Sequence, residues 1–205
     1  MVRALSAALL LAATSASAAP LALPSFEAAA FQLQASVKAL RAASVKALGA
    51  DIGPRLDSMA WDAQRAQQDV TRLRGDLRYL MTRVNAGQPG GQPDQNLRWD
   101  LQRFNQDLQT LARDSQWRLN DLRSLSAQAQ KDPNLVAHAQ RLVDAARWLK
   151  TETNWLAFDA RFAYSDLMRT GYSFEGMDLD RNSRDVDQGA QDLQSEAERL
   201  LAKVR

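Results

Sequence analysis

Apolar residues recur along most of the chain in steps of four and three. Over the second helical stretch they fall at Met59, Ala63, Ala66, Val70, Leu73, Leu77, Leu80 and Val84, an unbroken 4-3-4-3 seam. That spacing places one face of a helix against a partner, as in coiled-coil-like packing. The same beat runs through Leu97, Leu101, Phe104, Leu108, Leu111, Leu122 and Leu125, with Ser115 and Arg118 standing where seam residues belong. It returns at Leu135, Ala139, Leu142, Ala146, Leu149, Leu156, Ala160, Ala163 and Leu167, with Thr153 as the polar member. A first stripe carries Phe26, Ala30, Leu33, Val37, Leu40 and Ala47, and a last one Val186, Ala190, Leu193, Ala197, Leu200 and Val204. No stretch alternates with the period of two that a half-buried strand needs.

Glycine, proline and capping residues divide the pattern. Ser25 after Pro24 caps a first helix over about 25–48, which Gly49 can stop. Gly53-Pro54 opens a second over 54–85, since proline is tolerated in a first turn. The cluster Gly87-Gln88-Pro89-Gly90-Gly91-Gln92-Pro93 is the clearest loop. A third helix follows over 94–131, a fourth over 133–170 with Asp132-Pro133 as cap and first residue, and a fifth over 178–204 after Gly171–Met177. The predicted fold is all-α: an elongated up-and-down antiparallel bundle of four to five long helices, 19–205 forming one domain. At 1.5 Å per residue the longer helices would reach roughly 45 to 57 Å.

Acidic residues keep the heptad beat beside the seam. Asp62, Asp69 and Asp76 are spaced by seven, as are Asp100, Asp107, Asp114 and Asp121, then Glu152, Asp159 and Asp166. Arginine follows three residues after Asp62, Asp69, Asp100, Asp166 and Asp178, so the spacing predicts solvated pairs within each helix, worth about 0.2–0.5 kcal/mol apiece. WDAQRAQQDV (Trp61–Val70) and WDLQRFNQDL (Trp99–Leu108) match at six positions with the seam in phase, which suits a duplicated helix.

A second stripe is aromatic. Trp148, Trp155 and Phe162 are seven apart, about 130° around the helix from the seam axis. Tyr79 and Trp117 take the equivalent place on their helices, with Trp61 and Trp99 nearby. The economical expectation is a second packing face inside the bundle, because several tryptophans are costly to leave in water. The alternative is an exposed binding groove. Trp148/Glu152, Trp155/Asp159 and Phe162/Asp166 each set a ring beside a carboxylate, which suits a cationic or amphipathic guest such as a basic peptide. These six residues are the candidate binding site.

Composition narrows the chemistry. The chain of 205 residues has no cysteine and one histidine, His138, which leaves no thiolate metal site, no disulfide framework and no two-histidine metalloprotease motif. A haem would pair His138 with Met59, Met81 or Met168, and the expected place for that histidine is instead at the bundle surface. Lys plus Arg number 26 against 24 Asp plus Glu, which lacks the clustered basic excess of a nucleic-acid binder. No nucleophile elbow or phosphate loop occurs, and no catalysis, cofactor or metal is expected.

Residues 1–20, MVRALSAALLLAATSASAAP, read as an export signal. Arg3 precedes a short apolar run, and Ala16-Ser17-Ala18 fits cleavage after Ala18. That cut leaves 187 residues with 25 basic and 24 acidic side chains. Export without cysteine suits a periplasmic or secreted bacterial protein, not an integral membrane one. The expected function is a helical binding or scaffold protein of the envelope, acting on an unknown protein or peptide partner. The alternative is a structural spacer or a coiled coil that self-associates through its seams.

Overall fold

A computed structural model describes residues 26–86 and 94–205, with side chains from residue 51 onward. The predicted signal segment, the cap at Ser25 and the connector 87–93 lie outside the described residues, as do the side chains of the seam from Phe26 to Ala47. The chain divides into two units, Met1–Ala43 and Ser44–Arg205. In the first, the backbone from residue 26 is helical. The second is an all-α bundle of four helices packed on one another, with no strand among the described residues.

The helices are α1 (Phe26–Ala86), α2 (Gln95–Gln128), α3 (Pro133–Arg169) and α4 (Ser173–Val204). The two helices expected over 25–48 and 54–85 are therefore one, with Pro54 inside it. Proline removes an N–H and crowds the preceding turn, but the usual clash with the preceding side chain is absent, because residue 53 is glycine. The same missing Cβ admits His138: a Cβ at Gly53 would lie 3.2 Å from its Nε2. Helix α4 begins at Ser173, five residues before the expected start, so Gly176 is a packing residue and not part of a loop. A Cβ there would stand 3.1 Å from the Cβ of Leu167 on α3.

Local chemistry sets the other ends. Asp94 and Asp132 cap α2 and α3 by accepting from the backbone N–H groups of Asn96 and Asn134, at 2.9 Å each. Gly171 closes α3 with φ at 85°, a conformation glycine adopts without a Cβ penalty. Tyr172 then folds inward, and its hydroxyl accepts from the Asp94 backbone N–H at 2.7 Å, tying the start of α4 to the start of α2.

Chain direction alternates from helix to helix, yet the neighbours are not simply consecutive. Asp57 meets His138 and Arg74 meets Glu152, so α1 and α3 run parallel side by side. The Asn105 amide donates to the Glu175 carbonyl, and the Lys203 ammonium to the Ser126 carbonyl, so α2 and α4 do the same. Arg83 with Asp100 joins α1 to α2, and Lys150 with Asp187 joins α3 to α4. Around the bundle the order is α1, α2, α4, α3, with α2 and α3 across the diagonal. The short link 129–132 makes that crossing, held where the Asp132 N–H donates to the Val204 carbonyl.

Every described seam residue from Met59 to Val84 is buried, as are those of the three later helices. At the expected interruption, Ser115 is buried with its hydroxyl bonded to the Leu111 carbonyl. Leu119 fills the core position that the strict spacing assigned to Arg118. Ser115 faces Gly189, where a Cβ would fall 3.0 Å from its own, so α2 and α4 approach closely there.

Candidate functional site

The seam turns one side of α3 inward, and residues spaced by seven on its outer side are left in solvent. Trp155 is 47% exposed, Phe158 50%, and Phe162 and Trp148 63% each. The expected second packing face is therefore an open surface. Its helix already buries enough on the seam side, where Leu149, Leu156, Ala160, Ala163 and Leu167 meet the core. Trp61, Tyr79, Trp99 and Trp117 are exposed as well. Those rings are spread over α1 and α2.

Three of the α3 rings form a continuous ridge. Phe158 stands edge-on to Trp155 with ring centres 6.0 Å apart, and edge-on to Phe162 at 4.6 Å. Edge-to-face contact places the positive rim of one ring on the negative face of the next. Trp148 lies two turns before Trp155, roughly 10 Å along the axis, outside this contact chain. Phe158 is the residue the heptad reading missed. It occupies the outermost position of the heptad, midway between Trp155 and Phe162, and the sequence signal was its three- and four-residue spacing from them.

The carboxylates of the candidate site are engaged. Arg74 crosses from α1 and donates Nη1 to Glu152 at 2.9 Å and Nε to Asp159 at 3.1 Å. Its guanidinium carbon also lies 5.9 Å from the centre of the Trp155 ring. Arg78 adds a second cation to Asp159 at 3.6 Å. Asp166 pairs with Arg169 on its own helix. Glu152 and Asp159 are half-buried by these contacts, so they serve chiefly to bind α1 to α3. A cationic guest would have to compete with guanidinium groups already in place.

A trough runs along each side of the ridge. Between α3 and α4 lies one of about 520 Å³, walled by Trp155, Phe158 and Tyr164, with Arg161, Asp180 and Arg184 supplying polar groups. Asp180 and Arg184 pair with each other, and Arg161 has no carboxylate partner among the described residues. Between α1 and α3 lies another of about 360 Å³, with Met81, Arg78 and Phe162 on its walls. Gly176 on α4 comes close to Leu167 and Tyr164 of α3, and Trp155 and Phe158 wall the trough on the α3 side.

His138 lies at the other end of the α1–α3 contact. Its Nδ1 is 2.9 Å from Asp57 Oδ2, and Arg141 grips the same carboxylate through Nε and Nη2. Desolvation pushes the Asp57 carboxyl up. Hydrogen bonds from Arg141 and His138, with their charges, outweigh it and hold the group below its usual range. No group of three or more His, Asp or Glu side chains among the described residues is placed to hold a metal ion. No helix among them is long and apolar enough to cross a membrane.

No family model, curated protein or solved structure matches this chain.

Proposed function

We propose that the protein is an exported helical binding or scaffold protein of the bacterial envelope, and that it acts through the aromatic ridge of α3. The observation that carries this reading is the chain of exposed rings, Trp155, Phe158 and Phe162, with a trough on either side. A contiguous apolar patch rimmed by polar groups is costly to leave in water and is the usual mark of a surface that meets a partner. The ridge has no nucleophile or paired free carboxylates, which favours binding over catalysis. Export rests on the N-terminal signal pattern in residues 1–18.

The structural-spacer reading drew on pairing between chains through the a/d seams. From Met59 onward those seams are consumed inside the bundle, and exposing them would forfeit the core. That favours recognition on the outer face. The engaged state of Glu152 and Asp159 further shifts the expected guest from a cation toward an apolar or aromatic surface.

The test is site-specific photocross-linking in cells, with a photoreactive side chain at position 158 and a control at position 65 on the solvent side of α1. A discrete adduct from position 158 alone supports the ridge as a binding face. Equal labelling from both positions, or none from 158, overturns it. Amino-terminal sequencing of the exported chain tests the cut after Ala18; a cytosolic chain beginning at Met1 would rule out export.

A further inference from the structure

We infer that the α3 ridge is the interface of a two-fold dimer, so that the partner bound there is a second copy of this chain. The inference deepens the binding reading above and rests on it. A two-fold interface requires one patch to be complementary to itself, which means a projection and a recess side by side on the same face. Helix α3 carries both. Phe158 projects on its outer line and walls the trough of about 520 Å³ against α4, and Phe162 walls the smaller one against α1. Rotating a second copy about an axis near Trp155 seats the ridge of each chain in the trough of the other, the ridge-into-groove arrangement that helices use to pack.

The spacing favours a helix as occupant. Trp148, Trp155 and Phe162 recur every seven residues, so they form a straight line that another helix of the same period can follow over several turns. Helix α3 of a second copy has that period and that length. A short apolar ligand would need a single pocket, not a line of rings.

Charge permits the pairing. Glu152, Asp159, Asp166 and Asp180 are each neutralised within the chain by arginine. Two copies therefore meet without opposing unpaired carboxylates. Arg161, which lacks a carboxylate partner among the described residues, lies at the trough and would come over the partner's rings, a favourable cation–π placement. The area suits a weak, reversible dimer. Four aromatic side chains, half to two-thirds exposed, offer roughly 330–560 Å² per copy at about 150–250 Å² each. That is near the roughly 500 Å² per partner at which a specific interface begins.

Sedimentation of the purified full chain over a range of concentrations, beside the Phe158→Ala, Phe158→Asp and Trp61→Ala variants, decides the matter. The expected result is a reversible dimer whose Kd rises at least tenfold in Phe158→Ala and which is lost in Phe158→Asp. Circular dichroism should stay as in the wild type, as should Tm measured below the wild-type Kd, where association adds nothing to stability, and Trp61→Ala, on α1 away from the ridge, should leave the Kd unchanged. A wild-type chain that stays monomeric into the high micromolar range overturns the dimer. So does a dimer that both Phe158 variants leave intact, since its interface would lie elsewhere. Failure here is separable from failure of the binding reading. A monomer whose position 158 still cross-links in cells, to an adduct other than twice the chain mass, keeps the ridge as a binding face for a different protein.

Discussion

Single atoms decide how closely these helices meet. At Gly189 the space for a side chain is already taken by Ser115, so Gly189→Ala forces the two backbones apart. The expected cost is about 1–3 kcal/mol, as for other small-to-large changes in packed interiors. Adding Ser115→Gly should restore part of it, and urea denaturation of the two single variants and the double gives the coupling directly. Independent, additive effects would show that the close approach is not what holds this contact. Gly171 answers to a different constraint, its positive φ. Gly171→Ala should cost about 1 kcal/mol through backbone strain, visible as a lower Tm.

At the scale of one helix, α3 separates two roles on opposite faces. Leu156 is fully buried, while Phe162, six residues on, is mostly exposed. Leu156→Ala should lose about 2–5 kcal/mol, the range for a large side chain removed from a core. Measured at a concentration where the chain is monomeric, Phe162→Ala should stay within about 0.5 kcal/mol, as surface changes do. Chemical denaturation of both variants tests this, and a loss above about 2 kcal/mol at Phe162 would mean that the ridge is packed in solution. The acid ladders show the same division. Of the five pairs expected three residues apart, Asp166–Arg169 forms, while Asp100 takes Arg83 from the neighbouring helix. Acids beside a seam sit within reach of the next helix, and a long guanidinium closes that gap more readily than its own helix places it.

Across the bundle, α3 is tied to α1 through Asp57 and to α4 through Glu198. Gln194 and Arg147 donate to Glu198 and hold its carboxyl below the usual range, as Arg141 and His138 do for Asp57. A depressed folded-state pKa contributes stability above the unfolded value, near 4, and that contribution is lost as pH falls through the folded value. The bundle should therefore weaken as pH drops below about 4. Thermal unfolding between neutral and acid pH should show a shallower decline for Asp57→Asn with Glu198→Gln than for the wild type. Parallel declines would assign the acid sensitivity to other carboxylates. Both groups are partly in water, so raised salt should reduce the difference.

The heptad spacing was enough to identify which stretches are helical, their inward faces and most of the core, because periodicity records which side of a helix must leave water. Asp94, Asp132 and Gly171 likewise mark helix ends through purely local hydrogen bonding and backbone preference. The continuous path of α1 through Gly53-Pro54 was not legible, since it turns on what a glycine spares and on the His138 ring packed against it. The role of Gly176 was hidden for the same reason: its closeness to Leu167 is a contact between helices. The candidate site was half legible. Trp155, Phe162 and Trp148 announced a second line, but periodicity cannot tell an outer ridge from an inner face, because both repeat every seven residues. Only the order of helices around the bundle decided that. It placed α1 and α4 on either side of α3, brought Arg74 onto Glu152 and Asp159, and left the rings facing water.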